Sequence, residues 1–83
     1  MISYSFTKYA DQELQKLPLE TQKRIIKKIR FYIESGDPFY FAKSITDSKE
    51  KVYRFRIGDY RIFFDYKNNQ ILITKISPRP KAY

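Results

Sequence analysis

Apolar and charged residues alternate from Val52 to Ile57, stop at Gly58-Asp59, and resume from Tyr60 to Tyr66. A period of two marks a half-buried strand. Gly followed by Asp at a two-residue break is the signature of a type II′ hairpin turn. Such a short loop sets the register: Ile57 opposite Tyr60, Arg56 opposite Arg61, and Phe55 opposite Ile62. One face of this hairpin carries Tyr53, Phe55, Ile57, Tyr60, Ile62 and Phe64, and the other carries Arg54, Arg56 and Arg61.

The same reading extends along the chain. Met1 to Phe6 alternates, with Ile2, Tyr4 and Phe6 on one side, and forms a first strand. Thr7 is placed to cap a helix whose stripe is Ala10, Leu14 and Leu17. Leu17-Pro18 breaks that helix and begins a longer one, Leu19 to Ser35. Its apolar side is Ile25, Ile26, Ile29, Tyr32 and Ile33, and its opposite side is Lys23, Arg24, Lys27, Lys28 and Arg30. Gly36 and Asp37-Pro38 end it. Phe39 to Glu50 shows no period, although Phe39, Tyr40 and Phe41 are too aromatic for a solvated loop, and Thr46 to Lys51 reads as a mobile connection. Asn68-Asn69 supplies a second turn, and Gln70 to Ser77 is the last strand, continuing an antiparallel meander. That turn would place Ile71 and Ile73 toward the helices, and Leu72, Thr74 and Ile76 on the face of Arg61 and Phe63. Pro78 stops the strand. The expectation is one α+β domain over residues 1–83, in the order β-α-α-β-β-β. Two N-terminal helices cover one face of a mainly antiparallel four-stranded sheet, and the other face stays open.

Composition sharpens this picture in three places. There is no Cys and no His. Disulfides, thiolate metal sites, the usual zinc ligand and the usual general base are therefore absent, and a reducing, cytoplasmic setting is expected. No apolar run approaches the roughly 20 residues of a membrane span. The net charge of +8 is unevenly spread: residues 1–50 hold nine Lys or Arg against seven Asp or Glu, and residues 51–83 hold eight against two. A cationic C-terminal part suits a polyanionic partner, nucleic acid ahead of anionic lipid.

Like charges directly opposed across two strands destabilise a sheet by a few tenths to about 1 kcal/mol. Arg56 facing Arg61, with Arg54 two residues away, points to an anionic ligand as the compensation. Guanidinium forks match phosphate oxygens bidentately. Several such groups, with Arg79 from the tail, would hold a phosphate and stabilise the charge added in a pentacoordinate transition state. In RNA, the adjacent 2′-hydroxyl supplies a nucleophile without metal or cofactor. Arginine stays protonated and is a poor base, so Tyr83 is the proton-transfer candidate of this chain, and Phe63 is placed to stack a splayed base. Lys43, Lys81 and Lys27 are accessory phosphate-binding candidates. The plainer alternatives are that Arg54 and Arg56 are outward residues of a half-exposed strand, that the helix cations form a solvated face, and that Tyr83 is a frayed terminus.

Nearly the whole chain resembles the RelE/ParE superfamily of toxins from type II toxin–antitoxin modules. The resemblance rests on the opening strand, the Leu17-Pro18 junction, the basic second helix, Gly36-Asp37-Pro38 and, above all, Tyr53-Arg54-Phe55-Arg56-Ile57-Gly58-Asp59-Tyr60-Arg61 with a basic tail ending in Tyr83. RelE-like members imply metal-independent cleavage of mRNA in the ribosomal A site by 2′-hydroxyl attack. By motif, Arg54 and Arg56 fall on a cationic pair of the second strand, Arg61 on a third-strand arginine, Arg79 on an arginine before the terminal tyrosine, and Tyr83 on that tyrosine. Arg54 and Arg56 stand where some RelE enzymes have lysines, and Pro78 stands where many relatives have His or Lys before the tail arginine. The resemblance implies the ribosome and mRNA as partners, and an antitoxin that wraps the toxin. ParE-like members carry versions of the same segment and imply gyrase inhibition by binding instead. An inactive homologue that only binds antitoxin is a third alternative.

Overall fold

Thr7 ends the first strand and starts the first helix in one residue. Its hydroxyl oxygen accepts a hydrogen bond from the Ala10 N–H at 3.1 Å, satisfying one of the orphan donors of a helix N-terminus. Its own N–H donates to the Ile73 carbonyl at 2.9 Å. The computed structural model describes residues 2–45 and 52–78. Within them lie β1 (Ser3–Phe6), α1 (Lys8–Gln15), α2 (Leu19–Glu34), a 3₁₀ turn (Pro38–Phe41), β2 (Ala42–Ile45), β3 (Val52–Ile57), β4 (Tyr60–Lys67) and β5 (Gln70–Pro78). The expected mobile connection at residues 46–51 lies outside the described residues.

Pro18 caps α2, where its missing N–H costs nothing, and the Gln22 side-chain amide braces the junction by donating to the Leu17 carbonyl at 2.8 Å. Gly36, at φ +89°, turns the chain out of α2 in the left-handed region that glycine tolerates. Both hairpin turns form as expected. Gly58 alone takes positive φ at the first, as a II′ turn requires, and Asn68 and Asn69 both take it at the second, as in a I′ turn.

The sheet has five strands rather than four, in the order β1-β5-β4-β3-β2. The additional strand, β2, pairs antiparallel with β3 along Ala42↔Phe55, Lys43↔Arg54 and Ser44↔Tyr53. Its sequence, AKSI, has no alternating hydrophobic pattern, because this four-residue edge strand is held by backbone pairing on one side. β1 pairs parallel with β5, and the other pairs are antiparallel. The β3–β4 register is the expected one, with Ile57↔Tyr60, Arg56↔Arg61 and Phe55↔Ile62.

One face of the sheet meets α1 and α2. Ala10, Leu14, Ile25, Ile29 and Tyr32 close over Phe55, Ile57, Ile62, Phe64, Ile71, Ile73 and Ile76. Phe55 and Phe64 stack at 4.4 Å in its centre, fully buried. Ile76 corrects the expectation that it shares the face of Arg61. Phe63 pairs with Lys75 but Phe64 pairs with Ile73, so Thr74 is an extra residue, a β-bulge. The bulge shifts the alternation by one, burying Ile76 and placing Lys75 opposite Phe63 on the open face. The Thr74 hydroxyl reaches the Phe63 carbonyl at 3.4 Å.

β1 pairs with β5 only as far as Phe6↔Ile73, because the chain then enters α1. Beyond that point the outer edge of β5 has lost its neighbour. Glu13 of α1 fills the gap: its carboxylate accepts from the Ile76 N–H at 2.9 Å. A helix side chain thus replaces the missing strand carbonyl, as a buried backbone donor requires.

Candidate nucleic-acid interface

The open face is ordered by register. One row runs Lys43 (β2), Arg54 (β3), Phe63 (β4) and Lys75 (β5). The next row toward the Gly58-Asp59 turn holds Arg56, Arg61 and Ser77. Directly opposed residues of antiparallel strands have Cα atoms about 4.5–5.5 Å apart. Five cations, Lys43, Arg54, Arg56, Arg61 and Lys75, therefore share about four strand widths of surface. Among the described residues, the carboxylate of this face is Asp65, which stands beyond Phe63, between Val52 and Leu72, and the Arg56–Arg61 row has no counter-ion of its own. Among the described residues, no group of three or more carboxylates is placed to hold a metal ion.

Exposure differs along this face. Arg56 is exposed, whereas Arg54, Arg61 and Phe63 are half-buried. The Arg61 Nε is buried and, among the described residues, has no hydrogen-bond partner. That nitrogen is thus desolvated without an acceptor among the described residues, which raises the value of an anion that could accept from it. Arg54, Arg56 and Lys43 also line a depression of about 420 Å³ with Tyr40, Phe41 and Ala42.

Of the residues singled out in the sequence, Arg54, Arg56, Arg61, Phe63 and Lys43 are brought together. Lys27 is not. It lies on α2, in the layer over the opposite sheet face, beside a groove lined also by Leu14, Ile26 and Arg30. Arg79, Lys81 and Tyr83 lie outside the described residues. Lys75 was missed, because the strand pattern alone contains no signal for the bulge that turns it to this face. The geometry supplies bidentate phosphate donors and positive charge at one end of the hairpin, with an aromatic ring in the adjacent row.

The turn itself is supported from the helix layer. A side chain on Gly58, at φ +57°, would bring its Cβ to 3.4 Å from the Arg24 guanidinium carbon. That is ordinary contact with the end of a flexible side chain, so the positive φ is what calls for glycine there.

Three solved structures show the same fold. The RelBE2 toxin–antitoxin complex from Mycobacterium tuberculosis superposes with a TM-score of 0.79 at 21% identity, covering 94% of this chain and 98% of that one. The archaeal RelE–RelB complex from Pyrococcus horikoshii gives 0.73 at 26% identity, with 98% and 97% covered. The intact E. coli RelBE toxin–antitoxin complex gives 0.74 at 15% identity, with 98% and 100% covered. No curated protein matches the chain. The family model of the ParE toxin of the type II toxin–antitoxin system parDE matches residues 4–83. Together with the fold, that match places this chain in the RelE/ParE superfamily of type II toxin–antitoxin toxins, as a member of the ParE toxin family.

Proposed function

We propose that the protein is a ribosome-dependent, metal-independent endoribonuclease that cleaves mRNA in the A site. The observation that carries this reading is the Arg56–Arg61 cross-strand pair, flanked by Arg54 and, among the described residues, lacking a counter-ion in its row. In the proposed reaction the 2′-oxygen attacks the adjacent phosphorus and the 5′-oxygen of the next nucleotide leaves. The products are a 2′,3′-cyclic phosphate and a 5′-hydroxyl. Arg54, Arg56, Arg61 and Arg79 hold the phosphate and neutralise the charge that grows on its oxygens. Tyr83 takes or relays the proton of the 2′-hydroxyl, or stacks a base. Lys43, Lys75, Lys81 and Phe63 extend the contact to neighbouring nucleotides. The structural relatives were solved in complexes with antitoxins. We propose that this chain likewise has a cognate antitoxin, which covers the cationic face.

The test is to incubate the purified protein with programmed ribosomes carrying an empty A site, and to map 5′ ends by primer extension. Cuts in the A site are expected, with EDTA-free and metal-depleted reactions on naked RNA as the controls. Arg61→Ala is expected to reduce them by about 10²–10³-fold, the usual effect of removing one transition-state charge stabiliser. No cuts, at concentrations where the protein still arrests growth, would overturn the proposal.

The match to the ParE family model favours a second reading, inhibition of DNA gyrase by binding. Under that reading Tyr83→Phe leaves toxicity unchanged and a supercoiling assay shows inhibition. Under the ribonuclease reading with Tyr83 in proton transfer, Tyr83→Phe lowers toxicity, and supercoiling is unaffected.

A further inference from the structure

Tyr40 is the most exposed large apolar residue of the described chain, at 81%. A single exposed tyrosine is ordinary, but the construction under this one is not that of a loose surface residue. Pro38 opens the 3₁₀ turn and is buried, and Phe39 inserts into the core against Tyr53 at 5.0 Å and Tyr66 at 4.7 Å. The Tyr40 N–H donates to the Asp37 carbonyl at 3.2 Å. The backbone is thus pinned on both sides of a residue whose ring faces water. Phe41 is fixed by stacking on the buried Tyr32 at 4.5 Å and 18°, and Tyr40 meets it edge-on at 5.1 Å. The result is an aromatic shelf, and its two rings line the same depression as Lys43, Arg54 and Arg56.

We infer that Tyr40 and Phe41 are a base-stacking subsite for single-stranded RNA, next to the phosphate-binding row of the open face. The inference rests on the ribonuclease reading and adds to it the place where a nucleotide flanking the scissile phosphate lies. The lining of the depression selects this occupant. Aromatic faces beside a cationic track are the two elements of single-strand recognition, the rings taking any base and the cations taking the backbone. A hydrophobic peptide would use the rings but leave Lys43, Arg54 and Arg56 desolvated without acceptors.

The chain contains no tryptophan. Tyr40→Trp therefore gives the full-length protein a single indole at the proposed contact. Titration with a single-stranded RNA of about twelve nucleotides at low salt is expected to quench its emission, and the same ribose-phosphate chain without bases is not. By anisotropy of the labelled RNA, Tyr40→Ala is expected to weaken binding by about 5- to 100-fold, as loss of one stacked base does. Tyr40→Phe should bind as the wild type does. The dependence of binding on salt should not change in Tyr40→Ala but should become shallower in Arg56→Ala, because only the latter removes a phosphate contact. If Tyr40→Ala binds RNA as tightly as the wild type, or the indole is unaffected while RNA binds, the subsite is refuted and the ribonuclease reading stands. If the wild type binds no RNA at low salt and makes no A-site cuts, both fall.

Discussion

The helix-covered face of the sheet and its open face are built from alternate residues of the same strands. Between Phe55 and Arg54, or Ile62 and Arg61, the backbone environment is nearly constant and only the side of the sheet changes. On the covered side, rings and branched aliphatics pair across strands and reach zero exposure. On the open side, the same register sets arginine against arginine and leaves a buried guanidinium nitrogen without a partner among the described residues. One face follows the rules of stability and the other departs from them, and the departures gather at the end of the β3–β4 hairpin. Under the proposed function, that contrast separates residues that hold the fold from residues that would hold a ligand.

The contrast breaks most visibly if covered-face losses are not large. Phe64→Ala is expected to cost about 3–5 kcal/mol. That is a major part of the roughly 4–12 kcal/mol available to 83 residues. Thermal unfolding followed by circular dichroism should show a drop of about 15–30 °C, and a fall of only a few degrees would mean that the stacked Phe55–Phe64 pair is not the centre of the core. Next in size is Glu13. Glu13→Ala removes a charge-assisted bond and should cost about 1.5–3 kcal/mol. Faster hydrogen exchange at the Ile76 amide should accompany it, and Glu13→Gln should restore most of the protection.

Open-face changes should run in the opposite direction. Arg56→Glu turns a repulsive pair into an attractive one and should raise stability by a few tenths to about 1 kcal/mol. The same variant should lose A-site cleavage, measured on the same preparation. If it is destabilised instead, Arg56 and Arg61 are already accommodated by the fold itself. The smallest effect concerns Tyr32, whose phenol is pushed above its ordinary value of 10.0 by burial. Burial favours the neutral form, so this contribution is intact below the ordinary value and is lost as pH rises through the folded one. Tyr32→Phe should match the wild type in denaturant unfolding at neutral pH and lose less stability at about pH 11.

What was legible in the sequence follows from how local its causes are. The Gly58-Asp59 turn carries its own conformational demand, so the hairpin, its register and its two faces were readable from nine residues. The Thr7 cap and the Pro18 break were readable for the same reason. β2 was not, because Ala42 to Ile45 is held by β3 rather than by a pattern of its own. The parallel pairing of β1 with β5 joins residues nearly 70 positions apart, for example Ser3 and Gln70, and no neighbouring residue encodes it. The open-face site was legible to the extent that it lies on the hairpin. Lys43 was named as a candidate without a strand to put it on, and Lys75 became visible only once the bulge had set its side. Lys27 was drawn in by charge alone and belongs to the helix layer.

The bulge at Thr74 also bears on how this chain tolerates changes of length. Inside and outside along a strand form a two-letter alternation, and one surplus residue acts on it as a frameshift. Removing Thr74 would take out the surplus residue and leave a plain alternation with the same pairings, Ile73 and Ile76 still buried and Lys75 and Ser77 still on the open face. Removing or adding a pair of residues would preserve the frame and merely slide it. Elsewhere in β5, insertions and deletions should therefore be accepted in twos and rejected in ones, and loss of Thr74 should be the single-residue deletion that the strand accepts.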